Sequence, residues 1–133
     1  MKQHKDILIA NSLLKSKEAL DDAKYALEGA RLNTAQNRIY YAIFYSVMAL
    51  GYLNDFITSK HSQLLGWFNK KFIHENNIFD NGIFITYKTA YENRMKSDYE
   101  FTYKPDKDIV NKCFEDAQGF INTIENYIKI CQN

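Results

Sequence analysis

Residues 33–56 read NTAQNRIYYAIFYSVMALGYLNDF. Between Ile39 and Asn54 there is no charged side chain. Two stripes run along the segment at helical spacing. Ile39, Ala42, Ser46, Ala49, Leu53 and Phe56 form one, and Tyr41, Phe44, Tyr45, Met48 and Tyr52 form the other. Repeats of three and four belong to a helix, whereas a half-buried strand alternates with period two. A helix that is apolar on most sides belongs at the centre of a bundle, with other helices packed around it. The uncharged run is shorter than the ~20 apolar residues that span a bilayer, and it contains several tyrosines, so no membrane segment is expected. The sequence predicts a buried helix over roughly 34–55. Asn33 is its expected N-cap, with Gln36 completing a capping box.

The flanking segments supply the partners. Over roughly 4–30, Ile9, Leu13, Leu20, Ala23, Leu27 and Ala30 repeat at three and four, with Ser16 in the missing step and charges opposite. That is an amphipathic helix, weakened at its end by Gly29. A shorter helix is expected over roughly 60–74, capped by Thr58 or Ser59, with Leu64, Leu65, Phe68 and Phe72 inward. A polar loop over 75–82 follows. The next helix is expected over roughly 83–98, carrying Tyr87, Ala90, Tyr91 and Arg94 on one face, although Ile83-Phe-Ile-Thr-Tyr87 also reads as a short strand. Pro105 enforces a turn. Beyond it, Val110, Cys113, Ala117, Phe120, Ile124, Tyr127 and Cys131 mark a last helix over roughly 106–130. With short connections, one all-α domain over residues 1–133 is expected, an antiparallel up-and-down bundle of four to five helices.

Composition narrows the partners. Seventeen basic and sixteen acidic side chains give a net charge of +1. Duplex-DNA binders usually carry a larger basic excess. Aromatic residues make up 15% of the chain. They suit a core and a subunit interface, and exposed tyrosines also suit base stacking. On one helix Cys113 and Cys131 would stand about 27 Å apart, too far for a disulfide, so free thiols and a cytoplasmic location are expected. The histidines at 4, 61 and 74 have no helical ligand spacing to one another, and there is no glycine-rich phosphate loop. No metal and no cofactor are expected.

The polar side chains set among apolar helices are the candidates for chemistry. Arg38 shares a face with Tyr41, Tyr45 and Tyr52, and a half-buried guanidinium needs an acid, a carbonyl or a phosphate. Lys60 and His61 stand where a helix begins, and helix N-termini attract anions. Arg94 and Asp98 lie four apart, the spacing of an ion pair on a helix. Arg38, Tyr41, Lys60, His61, Arg94 and Asp98 are therefore expected to converge on one ligand-binding site. A buried structural network joining the same helices is the competing reading.

The ordered pieces Asn37-Arg38-Ile-Tyr40-Tyr41-Ala42-Ile-Phe44, Lys60-His61-Ser62 and Arg94-x-x-x-Asp98-Tyr99 together resemble the HEPN family, the higher eukaryotes and prokaryotes nucleotide-binding domain. The likeness spans roughly residues 5–130 and is strongest to small stand-alone prokaryotic members. It implies a helical bundle, a homodimer and either of two roles. Many members are partners of a minimal nucleotidyltransferase. Many others are metal-independent ribonucleases of toxin–antitoxin, abortive-infection or CRISPR systems, whose motif is Arg followed four to six residues later by His. Arg94 matches that Arg, but the next residues are Met-Lys-Ser-Asp98-Tyr99-Glu100-Phe101, without His. Near pH 7 an Asp or Tyr cannot replace His as an acid–base group without a large pKa shift. The expectation is a non-catalytic module that binds nucleotide or RNA phosphate, a nucleotidyltransferase partner, or both. The alternative is a divergent ribonuclease with Arg94 and His61 as its catalytic pair.

Overall fold

The computed structural model describes residues 2–133. Five α-helices follow in order: α1 (Lys2–Glu28), α2 (Leu32–Leu53), α3 (His61–Phe68), α4 (Asn81–Tyr99) and α5 (Lys107–Gln132). A π-helical turn, Asn69–Glu75, continues α3. Among the described residues there is no strand. Successive long helices run antiparallel. Lys5 near the start of α1 pairs with Asp55 beyond the end of α2, while Ser16 Oγ donates to the Ala42 carbonyl midway. Asn37 meets Asp98 and Arg94 meets Tyr41 between α2 and α4. Asn93 meets Cys113 and Tyr87 meets Phe120 between α4 and α5.

Helix α2 packs against all four of the others. Ile39, Tyr40, Ala42, Ile43, Val47, Ala49 and Leu50 are fully buried. The seam that α1 offers is centred on Ile9, Ser12, Ser16, Ala19, Ala23 and Ala26, the buried residues of that helix. It lies slightly to one side of the stripe expected from the larger residues; Leu13, Leu20 and Leu27 flank it half-buried. Small side chains along the seam let the two backbones approach closely, and the bulkier leucines close its edges. Both thiols on α5 are free, Cys113 half-buried and Cys131 exposed.

The element ends differ from expectation in instructive ways. α1 stops at Glu28, so Ala30 lies outside it in the left-handed region with φ 58°. The Arg31 N–H bonds the Ala26 carbonyl and the Ala30 N–H bonds the Leu27 carbonyl, a Schellman arrangement. Gly29 is thus one position too early to relieve that conformation. α2 resumes at once, with Arg31 in the cap position and no side-chain cap. Asn33 is not the N-cap, and Gln36 turns inward instead of closing a capping box; its Nε2 donates to Ser97 Oγ and Tyr103 Oη. Neither Thr58 nor Ser59 caps α3. Lys60 occupies that position, and Thr58 Oγ1 accepts the Lys60 N–H from just outside. The segment Ile83–Tyr87 is helical because Asp80 caps Ile83, which places Tyr87 and Ala90 in the core three apart. Asp106 caps α5 in the same way through Ile109.

The C-terminus of α2 repeats the Schellman device. The Phe56 N–H bonds the Gly51 carbonyl, and Asp55 takes φ 60°. A Cβ on Gly51 would lie 2.5 Å from the Phe56 carbonyl oxygen. Two changes test these ends in urea denaturation. Ala30→Gly should raise stability by about 0.5–1 kcal/mol, by releasing a left-handed non-glycine residue. Gly51→Ala should lower it by about 1–3 kcal/mol, because the obstructing atom is backbone and cannot swing away.

Candidate functional site

The N-terminal half of α2, the first residue of α3 and the last two turns of α4 meet on one side of the bundle. Antiparallel packing of α2 on α4 brings Arg94 opposite Tyr41 and Asp98 opposite Asn37. Arg94 Nε lies 2.8 Å from Asp98 Oδ2, and its Nη2 donates to Tyr41 Oη at 3.2 Å. Its guanidinium also lies over the rings of Tyr40, Tyr41 and Tyr99, at 5.7, 5.4 and 5.5 Å from their centroids. The Arg94 side chain is only 14% exposed, so these contacts act with limited screening by water.

Arg38 approaches the same tyrosine from the other direction, 5.0 Å from the Tyr41 centroid. Its Nε and Nη2 donate to Asn37 Oδ1 at 3.0 and 2.8 Å, and Asn37 Nδ2 donates to Asp98 Oδ2 at 3.0 Å. Two guanidiniums thus share one aromatic ring and are joined through one amide and one carboxylate. Arg94 has the ion pair; among the described residues the Arg38 guanidinium bonds the neutral Asn37 amide and no carboxylate. Arg38 also borders a hollow of about 180 Å³ toward α1, lined by Lys15, Glu18, Asp22 and Tyr45.

His61 completes the cluster from α3. Its ring stacks on Phe44 at 4.2 Å and 9°, and its Nδ1 lies 2.7 Å from Tyr40 Oη. Burial lowers its pKa below the ordinary 6.5, and the Arg94 charge lowers it further. Burial pushes the Tyr40 phenol far above its usual range, so Tyr40 stays neutral. At pH 7 the pair is a neutral imidazole bonded to a neutral phenol. Of the six residues expected to converge, Arg38, Tyr41, His61, Arg94 and Asp98 are joined by direct contact. Lys60 adjoins through its neighbour His61; it is exposed and forms no ion pair among the described residues. Among those residues there is also no group of three His, Cys, Asp or Glu side chains placed to hold a metal ion.

This cluster contains each of the three sequence pieces noted above. The HEPN domain profile matches residues 9–127. The chain belongs to the HEPN domain family. A protein of Thermotoga maritima named "UPF0332 protein" is 36% identical over 115 residues, which is 86% of each chain. Two proteins of Methanocaldococcus jannaschii, each named a "putative toxin", are 29% and 31% identical over 86% of this chain, and the matches cover 77% and 84% of their own lengths. In this HEPN chain the position one helical turn after Arg94 holds Asp98, and the structure shows what that carboxylate does. It pairs with Arg94 and receives Asn37, so it orients the guanidinium.

Tyr40, Asn37 and Phe44 were not among the residues expected at the site. Tyr40 and Phe44 lie inside the uncharged run and read as core, which they also are, being 0% and 5% exposed. Their second role depends on where α3 begins. A signal for Asn37 was available, because it stands one helical turn before Tyr41 and beside Arg38.

The His61 environment predicts an acid-sensitive fold. With the folded pKa below the unfolded 6.5, the unfolded chain binds a proton more readily. Stability contributed by neutral His61 is therefore complete above the unfolded value and declines as pH falls through and below it. The melting temperature of wild type should fall between pH 7.5 and pH 5.5 by more than that of His61→Gln. Equal falls would show that His61 does not titrate in the folded state as described.

Proposed function

We propose that this HEPN protein binds the phosphate of a nucleotide or RNA at the Arg38–Tyr41–Arg94 cluster, as one half of a toxin–antitoxin-type pair whose other half is a minimal nucleotidyltransferase. The observation that carries the binding proposal is the pair of guanidiniums on one tyrosine ring with a single carboxylate between them. Guanidinium forks suit phosphate oxygens, and an Arg held on an aromatic ring loses little freedom when it binds. Lys60, beside His61 and without an ion pair among the described residues, adds positive charge at the rim. The exposed Tyr99 offers ring surface to a base. The names of the two Methanocaldococcus jannaschii relatives support the toxin–antitoxin setting. The partner and a homodimeric state are proposed from the family resemblance; the exposed Tyr99 and Phe101, at 68% and 105%, supply apolar surface beside the cluster for such a contact.

A second reading has its own observation. His61 is neutral, it packs with Arg94 around the same two tyrosines, and Arg94 is close enough to depress its pKa. In that reading Arg94 stabilises charge on a phosphate and His61 moves the proton, in a metal-independent ribonuclease. Asp98 then takes no proton and acts only on Arg94.

Filter binding to single-stranded RNA and to nucleoside triphosphates tests the first reading. Arg38→Glu and Lys60→Glu should each weaken binding by about tenfold or more and flatten its salt dependence, because each removes a phosphate contact. If both variants bind as wild type does, the cluster is a structural network. RNA cleavage in the presence of a chelator, compared among wild type, Arg94→Ala and His61→Ala, tests the second. Loss in both variants supports catalysis, and equal cleavage in all three points to a contaminating nuclease.

A further inference from the structure

A second concave site lies elsewhere on the molecule and shares no residue with the cluster above. It is a hollow of about 280 Å³ between the end of α2, the π-helical turn and α5, lined by Asn54, Trp67, Lys71, Phe72, Asn76, Ile78 and Tyr127. Its size approaches the lower end of small-molecule pockets, roughly 300–1,000 Å³. Trp67 is held by parallel stacking on Phe56, with centroids 4.8 Å apart and planes 4° apart. Trp67 and Tyr127 both meet the buried Phe72 edge to face, at 5.4 and 5.8 Å. The aromatic walls are thus braced before any ligand arrives.

The π-helical turn shapes this hollow. Such turns are rare and often mark functional positions, because an extra residue in the turn re-aims the side chains around it. Here the turn contributes Lys71 and Phe72 to the lining, and the loop after it contributes Asn76 and Ile78. Lys71 is the charged residue of the lining, and the carboxylate it pairs with is shared with Lys70, which lies outside the lining. Lys70 and Lys71 lie 3.8 and 3.2 Å from the one carboxylate of Glu75. The Asn54 Nδ2 already donates to the Leu50 carbonyl, which leaves its Oδ1 available.

We infer that this hollow binds a small planar aromatic molecule carrying an anionic group, with the ring between Trp67 and Tyr127 and the anion at Lys71. Aromatic walls favour a flat π system, the carboxamides at the rim bond its polar edge, and the Lys71 charge selects an anion over a neutral analogue. The lining residues come from the cap after α2, α3 and its π turn, the following loop and α5, so the site forms only in the folded bundle.

Trp67 is the only tryptophan in the chain, so its fluorescence reports on this hollow alone. Naphthalene-2-sulfonate serves as the probe and neutral 2-naphthol as its comparison, both titrated into the full-length protein. The sulfonate should change Trp67 emission saturably and bind about tenfold more tightly than the neutral analogue. Lys71→Glu should reduce the sulfonate affinity by about tenfold. Ile78→Phe, which fills the hollow from an exposed position, should abolish saturation. Arg94→Ala should leave the titration unchanged, which separates this site from the cluster on α2 and α4. The inference is overturned if quenching in wild type is linear and unsaturated. It is equally overturned if Lys71→Glu and Ile78→Phe bind as wild type does, or if Arg94→Ala removes binding.

Discussion

The architecture depends on one constraint: α2 is apolar nearly all round and has to be covered on every side. A single amphipathic partner covers one stripe of it, so α1, α3, α4 and α5 all contribute. The closest cover comes from α1, whose Ser12, Ser16, Ala19 and Ala23 are small enough to lie directly on α2. The Ser16 hydroxyl would be costly to bury unpaired, and the Ala42 carbonyl resolves that at mid-seam. With α1 so close, Tyr45 stays at its edge beside Lys15, while Tyr40 and Phe44 are directed toward the other helices. That is where the rings of Tyr40, Phe44, Tyr87 and Phe120 collect.

The polar cluster is a consequence of the same constraint. Near its N-terminus α2 becomes polar at Gln36, Asn37 and Arg38, where α4 is ending. The buried Gln36 Nε2 finds Ser97 and Tyr103, which ties the α4–α5 turn to α2. Asn37 finds Asp98, and Asp98 finds Arg94. Together these contacts hold Arg94 among three tyrosines. The arrangement is both structural and chemically competent. A guanidinium fixed by its Nε keeps N–H groups on its other nitrogens for an anion.

His61 belongs to this cluster through shape more than sequence. The loop after α2 reverses at Asp55 and leads into α3, so the first helical residue lands against Phe44 and Tyr40. Burial, and after it the Arg94 charge, keeps the imidazole neutral beside a permanent cation. That state lets the histidine accept a proton, and it makes protonation unfavourable enough to be felt by the whole fold.

Much was determined by the sequence alone. The three-and-four repeats assign the helices because a helix buries one face per 3.6 residues, and the uncharged run identifies α2 as central because only a surrounded helix tolerates so little polar surface. Arg38, Tyr41, His61, Arg94 and Asp98 were legible as a group because charged and polar residues in apolar helices need partners. The ends of the elements were not legible. Asn33 and Thr58 have the chemistry of caps, yet Arg31 and Lys60 take those positions, because a Schellman turn and a tertiary contact fix where the chain re-enters a helix. Tertiary structure alone decided that Asn37 links two arginines through Asp98, that Tyr40 holds His61, and that Asn69–Glu75 widens into a π turn. Those features arise from which faces of separate helices meet, and the register between helices is set by side-chain volume across the whole core, which no local pattern encodes.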